Sequence, residues 1–119
     1  MQVRPNAVHQ LQMLVKRDNF ASDDFLYTGV IDPIFRAKLN SQFNSVVANF
    51  ISAVERQYSK KEYLALLVSE IEKFNRAELD TEDAEQVATN FEKIMDCIGL
   101  ESSEGALNEW MYGFNPNKF

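Results

Sequence analysis

DPIFRAKLNSQFNSVVANFISAVERQY, residues 32–58, is the stretch whose reading decides the fold. Within it Phe35, Leu39, Phe43, Val46, Val47, Phe50, Ile51, Val54 and Tyr58 recur at helical spacing. At about 100° per residue all of them fall in an arc of roughly 160°, the apolar stripe of a helix laid against a core. Asp32 and Pro33 fit as N-cap and first helical residue. A side-chain acceptor there meets an orphan backbone N–H, and the missing proline N–H does no harm. One long helix is expected.

Working outward toward the C-terminus, Ser59-Lys60-Lys61-Glu62 reads as a capping box that restarts a helix after a sharp turn near Tyr58. That helix carries Tyr63, Leu64, Leu67, Ile71 and Phe74. Asp80-Thr81-Glu82-Asp83 is an acid-rich helix start, followed by Ala84, Val87, Ala88, Phe91, Ile94, Met95 and Ile98 on one face. Gly99 supplies the left-handed C-cap. Two shorter helices flank these: Pro5 to Lys16, with Ala7, Val8, Leu11, Leu14 and Val15 on one side, and Ser103 to Tyr112, ending at Gly113. Isolated helices of that length are marginal in water, so packing must hold them. Residues 17–31 follow neither period yet contain Phe20, Phe25, Leu26 and Tyr27. A link this long in a compact domain is expected to be pinned to its surface. The expectation is an all-α fold: a compact bundle of about five helices with one long wrapped loop, residues 17–31, forming a single domain over residues 1–119.

Composition agrees with that picture. A chain of 119 residues buries roughly two thirds of its unfolded surface, so no disulfide or metal staple is required. It has no apolar run of about 18 residues, and its N-terminus lacks the apolar region of a secretory signal, which points to a soluble protein. The single Cys97 excludes an internal disulfide and suits a reducing cytoplasm, the expected location. The net charge of -6 is uneven: residues 1–61 carry 8 Lys/Arg against 5 Asp/Glu, and residues 62–119 carry 4 against 13. That acidic half repels phosphate backbones and anionic headgroups. Nucleic acid and membrane are therefore not expected partners, whereas a basic protein is.

Few residues suggest chemistry. The only His and the only Cys lie far apart on different predicted helices, so neither a metal site nor a cofactor is expected. His9 points away from the Val8/Leu11/Val15 face and reads as a surface residue. Cys97 sits off its helix's apolar face beside Asp96, whose charge opposes thiolate formation. Only 4 glycines occur, and none forms a phosphate loop or nucleophile elbow. No catalytic residues are assigned. Glu78, Asp80, Glu82, Asp83 and Glu85 cluster where a helix begins; they favour the helix dipole and also form a candidate docking surface for a basic partner. Arg36 and Asn40 fall inside the apolar arc of the long helix, and Glu70 lies at the edge of the next helix's stripe, where burial calls for a cation or donor to meet it. Together they suggest a polar, anion-binding pocket at one end of the bundle. Leu107, Trp110, Met111, Phe114 and Phe119 gather large apolar groups near the C-terminus, with Trp110 a candidate partner contact.

The segments Phe74-Asn75-Arg76-Ala77-Glu78-Leu79-Asp80-Thr81-Glu82-Asp83, Phe91-Glu92-Lys93-Ile94-Met95-Asp96-Cys97-Ile98-Gly99-Leu100-Glu101-Ser102-Ser103 and Leu107-Asn108-Glu109-Trp110-Met111-Tyr112-Gly113-Phe114 resemble a domain-of-unknown-function family of small bacterial all-helical proteins. A looser likeness runs through Asp23 to Gly29. The resemblance implies a bacterial source and a shared fold. It carries no activity, cofactor or site residue with it.

Three functions compete. The first is a small acidic, non-enzymatic module that binds a basic protein, as immunity and antitoxin proteins do, and uses the charge asymmetry. The second is a small-molecule or anion-binding protein built on Arg36, Asn40 and Glu70. The third is a self-associating protein using the C-terminal aromatics; a monomer or weak homodimer is the expected state.

Overall fold

The computed structural model describes residues 1–113 and is all-α among them. Five α-helices follow in order: α1 Ala7–Val15, α2 Pro33–Glu55, α3 Lys60–Ile71, α4 Thr81–Ile98 and α5 Ala106–Tyr112; a 3-10 turn at Arg76–Glu78 precedes α4. Their boundaries follow from local chemistry. The Asp32 side chain accepts from Ile34 N at 2.9 Å and Pro33 opens α2. Ser59 and Glu62 form the reciprocal capping box of α3, each side chain accepting from the other's backbone N–H. Asp80 accepts from Asp83 N at 2.8 Å, and Glu82 and Asp83 place negative charge in the first turn of α4, where the helix dipole favours it. Gly99, at φ 85°, closes that helix with its N–H and that of Leu100 both donating to the Met95 carbonyl.

The flanking helices are shorter than expected. α1 begins at Ala7, behind Asn6, rather than at Pro5. α5 begins at Ala106 because Glu104 and Gly105 both adopt positive φ, which ends any helix reaching back to Ser103. α2 stops at Glu55, and Gln57 at φ 57° makes the turn into α3.

α2 is the central helix. α1 packs on α2 and α4, α2 also meets α3 and α4, and α5 lies against α3 and α4. Phe91 of α4 is fully buried between two rings, edge-on to Phe43 at 6.4 Å and to Phe74 at 5.9 Å between centroids. A second aromatic group, Tyr63 stacked on Phe50 with Tyr58 beside it, closes the α2–α3 end. Leu107 and Met111 bury the apolar face of α5, and Trp110 packs against the core while donating Nε1 to the Phe74 carbonyl at 3.1 Å. Phe114 and Phe119 lie outside the described residues. No helix among the described residues is long and apolar enough to cross a membrane.

Residues 17–31 are pinned to the bundle, as expected of so long a link. Phe20, Tyr27 and Val30 are buried. The loop is fastened on one side to α2 and on the other to α4, and so fills the groove between those two helices.

Candidate functional site

Arg36 and Asn40 are brought together, one turn apart on α2, and both hold the loop. The Asp18 carboxylate accepts from Asn40 Nδ2 at 2.7 Å and pairs with Arg36 Nε at 3.4 Å. Asn40 Oδ1 accepts from Asn19 N at 2.9 Å, and Arg36 Nη1 donates to the Val30 carbonyl at 3.4 Å. An anion at this point would have to displace Asp18. The Arg36–Asp18 pair is partly exposed on both sides, so water screens it and its main effect is positional.

Glu70 is elsewhere. Its side chain is buried on α3, with Oε1 accepting from Asn49 Nδ2 and Oε2 paired with Lys73 Nζ at 2.7 Å, a contact with the closeness of an ion pair but not the alignment of a hydrogen bond. Asn49 is thirteen residues beyond Arg36 on α2, roughly 20 Å at the α-helical rise. The expected pocket joining Arg36, Asn40 and Glu70 at one end of the bundle is thus divided: two of its residues anchor the loop and the third links α2 to α3.

The five carboxylates at the start of α4 do gather, but several are already engaged. Glu78 pairs with Lys38 of α2 at 3.4 Å across an exposed surface. Asp80 is the N-cap. Asp83 accepts from the Tyr27 hydroxyl at 2.7 Å, and Glu82 from Thr28 Oγ1 at 3.3 Å. Glu85 lies on the other side, lining a cleft with Leu107, Asn108, Met111 and Tyr112 of α5. Burial raises the Asp83 carboxyl above its ordinary value, against the opposing pull of the Tyr27 hydroxyl, while Asp80 and Glu82 raise it further. Burial together with Asp83 pushes the Tyr27 hydroxyl far above its ordinary value. The contact is a neutral phenol donating to a carboxylate, and it locks the loop to the acidic edge.

Trp110 lines a cleft between α3 and α5 of about 240 Å³, with Val68, Ile71, Glu72, Ala106 and Glu109. Arg76 helps to set α5, donating Nε to the Met111 carbonyl at 3.1 Å and Nη1 to Leu79 O at 2.9 Å. His9 is exposed. Cys97 is half-buried, and burial followed by the charge of Asp96 pushes its thiol up, away from nucleophilic character. Among the described residues no group of His, Cys, Asp or Glu side chains converges so as to hold a metal ion.

Two of the large apolar residues of the loop point outward. Phe25 and Leu26 are 87% and 81% exposed, whereas Phe20 and Tyr27 are buried. The division is made by Asp23, whose Oδ1 accepts from the backbone N–H groups of Phe25, Leu26 and Tyr27 at 2.9, 2.9 and 2.8 Å. These donors hold the Asp23 carboxyl below its ordinary value. Ser22 Oγ donates to the Tyr27 carbonyl and accepts from Asp24 N. Gly29, at φ 83°, presses so closely on the Ser22 and Ala21 backbone that a Cβ would not fit. The Asp23-Asp24 pair is the sequence signal for such a turn.

These features define a small all-α protein whose one long loop is sealed between two helices and joined to an acidic edge. The chain belongs to the DUF4844 family, a domain of unknown function whose model matches residues 2–115. It is also similar to a DUF3571 family protein from Acinetobacter baumannii AYE known from a crystal structure. The two are 41% identical with a TM-score of 0.86, over 94% of this chain and 93% of that one. No curated protein matches.

Proposed function

We propose that the protein is a small, non-enzymatic binding module for a basic protein partner, similar in kind to the acidic immunity and antitoxin proteins that cover a basic toxin enzyme. One observation carries the reading. The exposed carboxylates Glu78, Asp80, Glu82 and Glu85 stand around one helix start, and that edge is tied to a loop bearing Asp23 and Asp24. Charge concentrated in this way attracts a basic surface over a Debye length of about 8–10 Å and accelerates association at low salt.

The test begins with capture of a partner on the immobilised protein at low salt from lysate of its own source, followed by reconstitution from two purified proteins. Glu82→Lys and Glu85→Lys reverse charge without removing the Tyr27–Asp83 hydrogen bond. The pair of substitutions is expected to slow association about tenfold or more at low ionic strength and to lose that effect as salt rises. An association rate unchanged by charge reversal would overturn the proposal.

A further inference from the structure

We infer that the segment from Phe25 to Ile34 is the apolar anchor of an interaction surface whose partner offers an apolar cleft bordered by lysine or arginine; this rests on the binding-module reading. Phe25, Leu26, Ile31 and Ile34 are 87%, 81%, 90% and 81% exposed. They are the four most exposed large hydrophobic side chains among the described residues, the next being Tyr112 at 59%. All four lie within ten consecutive positions, although the same segment buries Tyr27 and Val30. Scattered exposed apolar residues need no explanation, but four within one short segment call for one.

The segment is shaped before any partner arrives. Asp23 holds three consecutive backbone N–H groups at the tip, the Val30 N–H donates to the Phe20 carbonyl at 2.9 Å, and Asp32 caps the helix that carries Ile34. An ordered tip loses little freedom on binding.

Charge selects the occupant. Residues 18–34 contain four aspartates and no lysine or arginine. Tyr27 and Thr28 join the same segment to Asp83 and Glu82. Arg36, two positions beyond Ile34, is paired with Asp18. A second copy meeting this face would set aspartates against aspartates, and an anionic bilayer would be repelled. A basic protein gains from both parts of the surface, with apolar contacts at the centre and opposite charges at the rim.

The test uses the full chain with a photo-crosslinking phenylalanine analogue in place of Phe25 or of Ile34, and in place of Val68 on α3 as a control. Irradiation in cells of the source organism is expected to give the same protein adduct from positions 25 and 34 and not from 68, joined at a partner segment where apolar residues are flanked by Lys or Arg. In the complex rebuilt from the two purified proteins, Phe25→Ser with Leu26→Ser is expected to raise Kd by at least about thirtyfold, mainly through faster dissociation. Glu85→Lys, which makes no contact with the loop, is expected to act on association alone. If charge reversal slows association while the Phe25/Leu26 variant binds as before, the anchor is overturned and the binding module stands. Adducts to a second copy, to lipid, to an acidic partner segment or to nothing overturn the anchor as well. Unchanged circular dichroism of the variants keeps loss of folding out of these outcomes.

Discussion

The seal over the loop rests on one carbonyl. Asn90, fully buried on α4, donates Nδ2 to the Asn19 oxygen at 3.0 Å, and Gln86, one turn earlier on the same face, donates Nε2 to that same oxygen at 3.0 Å. A carbonyl has two lone pairs and can accept both, so each donor covers for the other. Gln86→Ala removes one half-buried hydrogen bond and is expected to cost about 0.5–1.5 kcal/mol. Asn90→Ala leaves a small void as well and is expected to cost about 1–2 kcal/mol. The double variant does something neither single one does: it leaves a buried acceptor with no donor, beneath a loop whose Phe20 is fully buried and whose Val30 is nearly so. That orphaned carbonyl adds about 1–3 kcal/mol, so the two substitutions should couple by at least about 1 kcal/mol beyond their sum. Urea denaturation of the four proteins, followed by far-UV circular dichroism, measures the coupling, and equal m values certify that one transition is being compared. Additivity within about 0.3–0.5 kcal/mol would refute the reasoning, because it would mean that water reaches the Asn19 carbonyl and the loop does not seal the groove.

Other expectations test other joints. Gly29→Ala would put a Cβ 2.4 Å from the Ser22 backbone nitrogen, whereas Gly99→Ala, at nearly the same φ, meets only the flexible Arg4 side chain at 3.2 Å. The Gly99 variant is expected to lose about 1–2 kcal/mol and the Gly29 variant clearly more, so equal shifts in Tm would contradict the close approach. Because the Tyr27 hydroxyl is raised in the folded state, the unfolded chain gives up its proton first, and stability is expected to fall as pH rises past about 10. Tyr27→Phe should flatten that alkaline decline by at most about 1.4 kcal/mol per pH unit, less where water screens the group; identical slopes from denaturation at pH 9 to 12 would show that the hydroxyl is not held. Phe91→Ala, removing the ring between Phe43 and Phe74, is expected to cost about 3–5 kcal/mol in the same urea assay, and a cost under about 1 kcal/mol would deny it a central place.

Helix boundaries were readable because caps are local. Asp32, the Ser59/Glu62 box, Asp80 and Gly99 act within a turn of their own backbone, and each does in the structure what its position in the sequence announces. The start of α5 was misread because the left-handed conformation of Glu104 leaves no mark on an apolar pattern. Side-chain partners were harder still. A helical wheel places Arg36, Asn40 and Glu70 on or beside buried stripes, but it does not say that Asp18 returns to Asn40 from 22 positions away or that Asn49 meets Glu70 from 21. Asn90 lies at the margin of the α4 stripe, and it is fully buried because the loop extends that face. Phe25 and Leu26 look like Phe20 and Tyr27 in composition. What separates them is the Asp23 turn, whose consequence for direction depends on where α4 stands. Ile34 did carry a signal, since it falls outside the arc that begins at Phe35 and has no place on the buried face.

The loop's construction bears on how the proposed surface would work. Polar groups anchor it from beneath, through Asn19, Asn90 and Gln86, and hold it from the side through Tyr27 and Asp83, leaving Phe25 and Leu26 to project from an ordered base. A floppy loop bearing the same two side chains would have to be ordered at the moment of contact, a cost that weakens binding without slowing approach. A tip ordered during folding removes that cost. The acidic edge then governs how fast a partner arrives, and the apolar tip governs how long it stays. Tyr27 joins the two, because its ring is buried beneath the tip while its hydroxyl meets the acidic helix start. Freed of that contact, the loop keeps its charges and its apolar residues but loses their fixed spacing, so on this proposal Tyr27→Phe leaves association nearly unchanged and speeds dissociation.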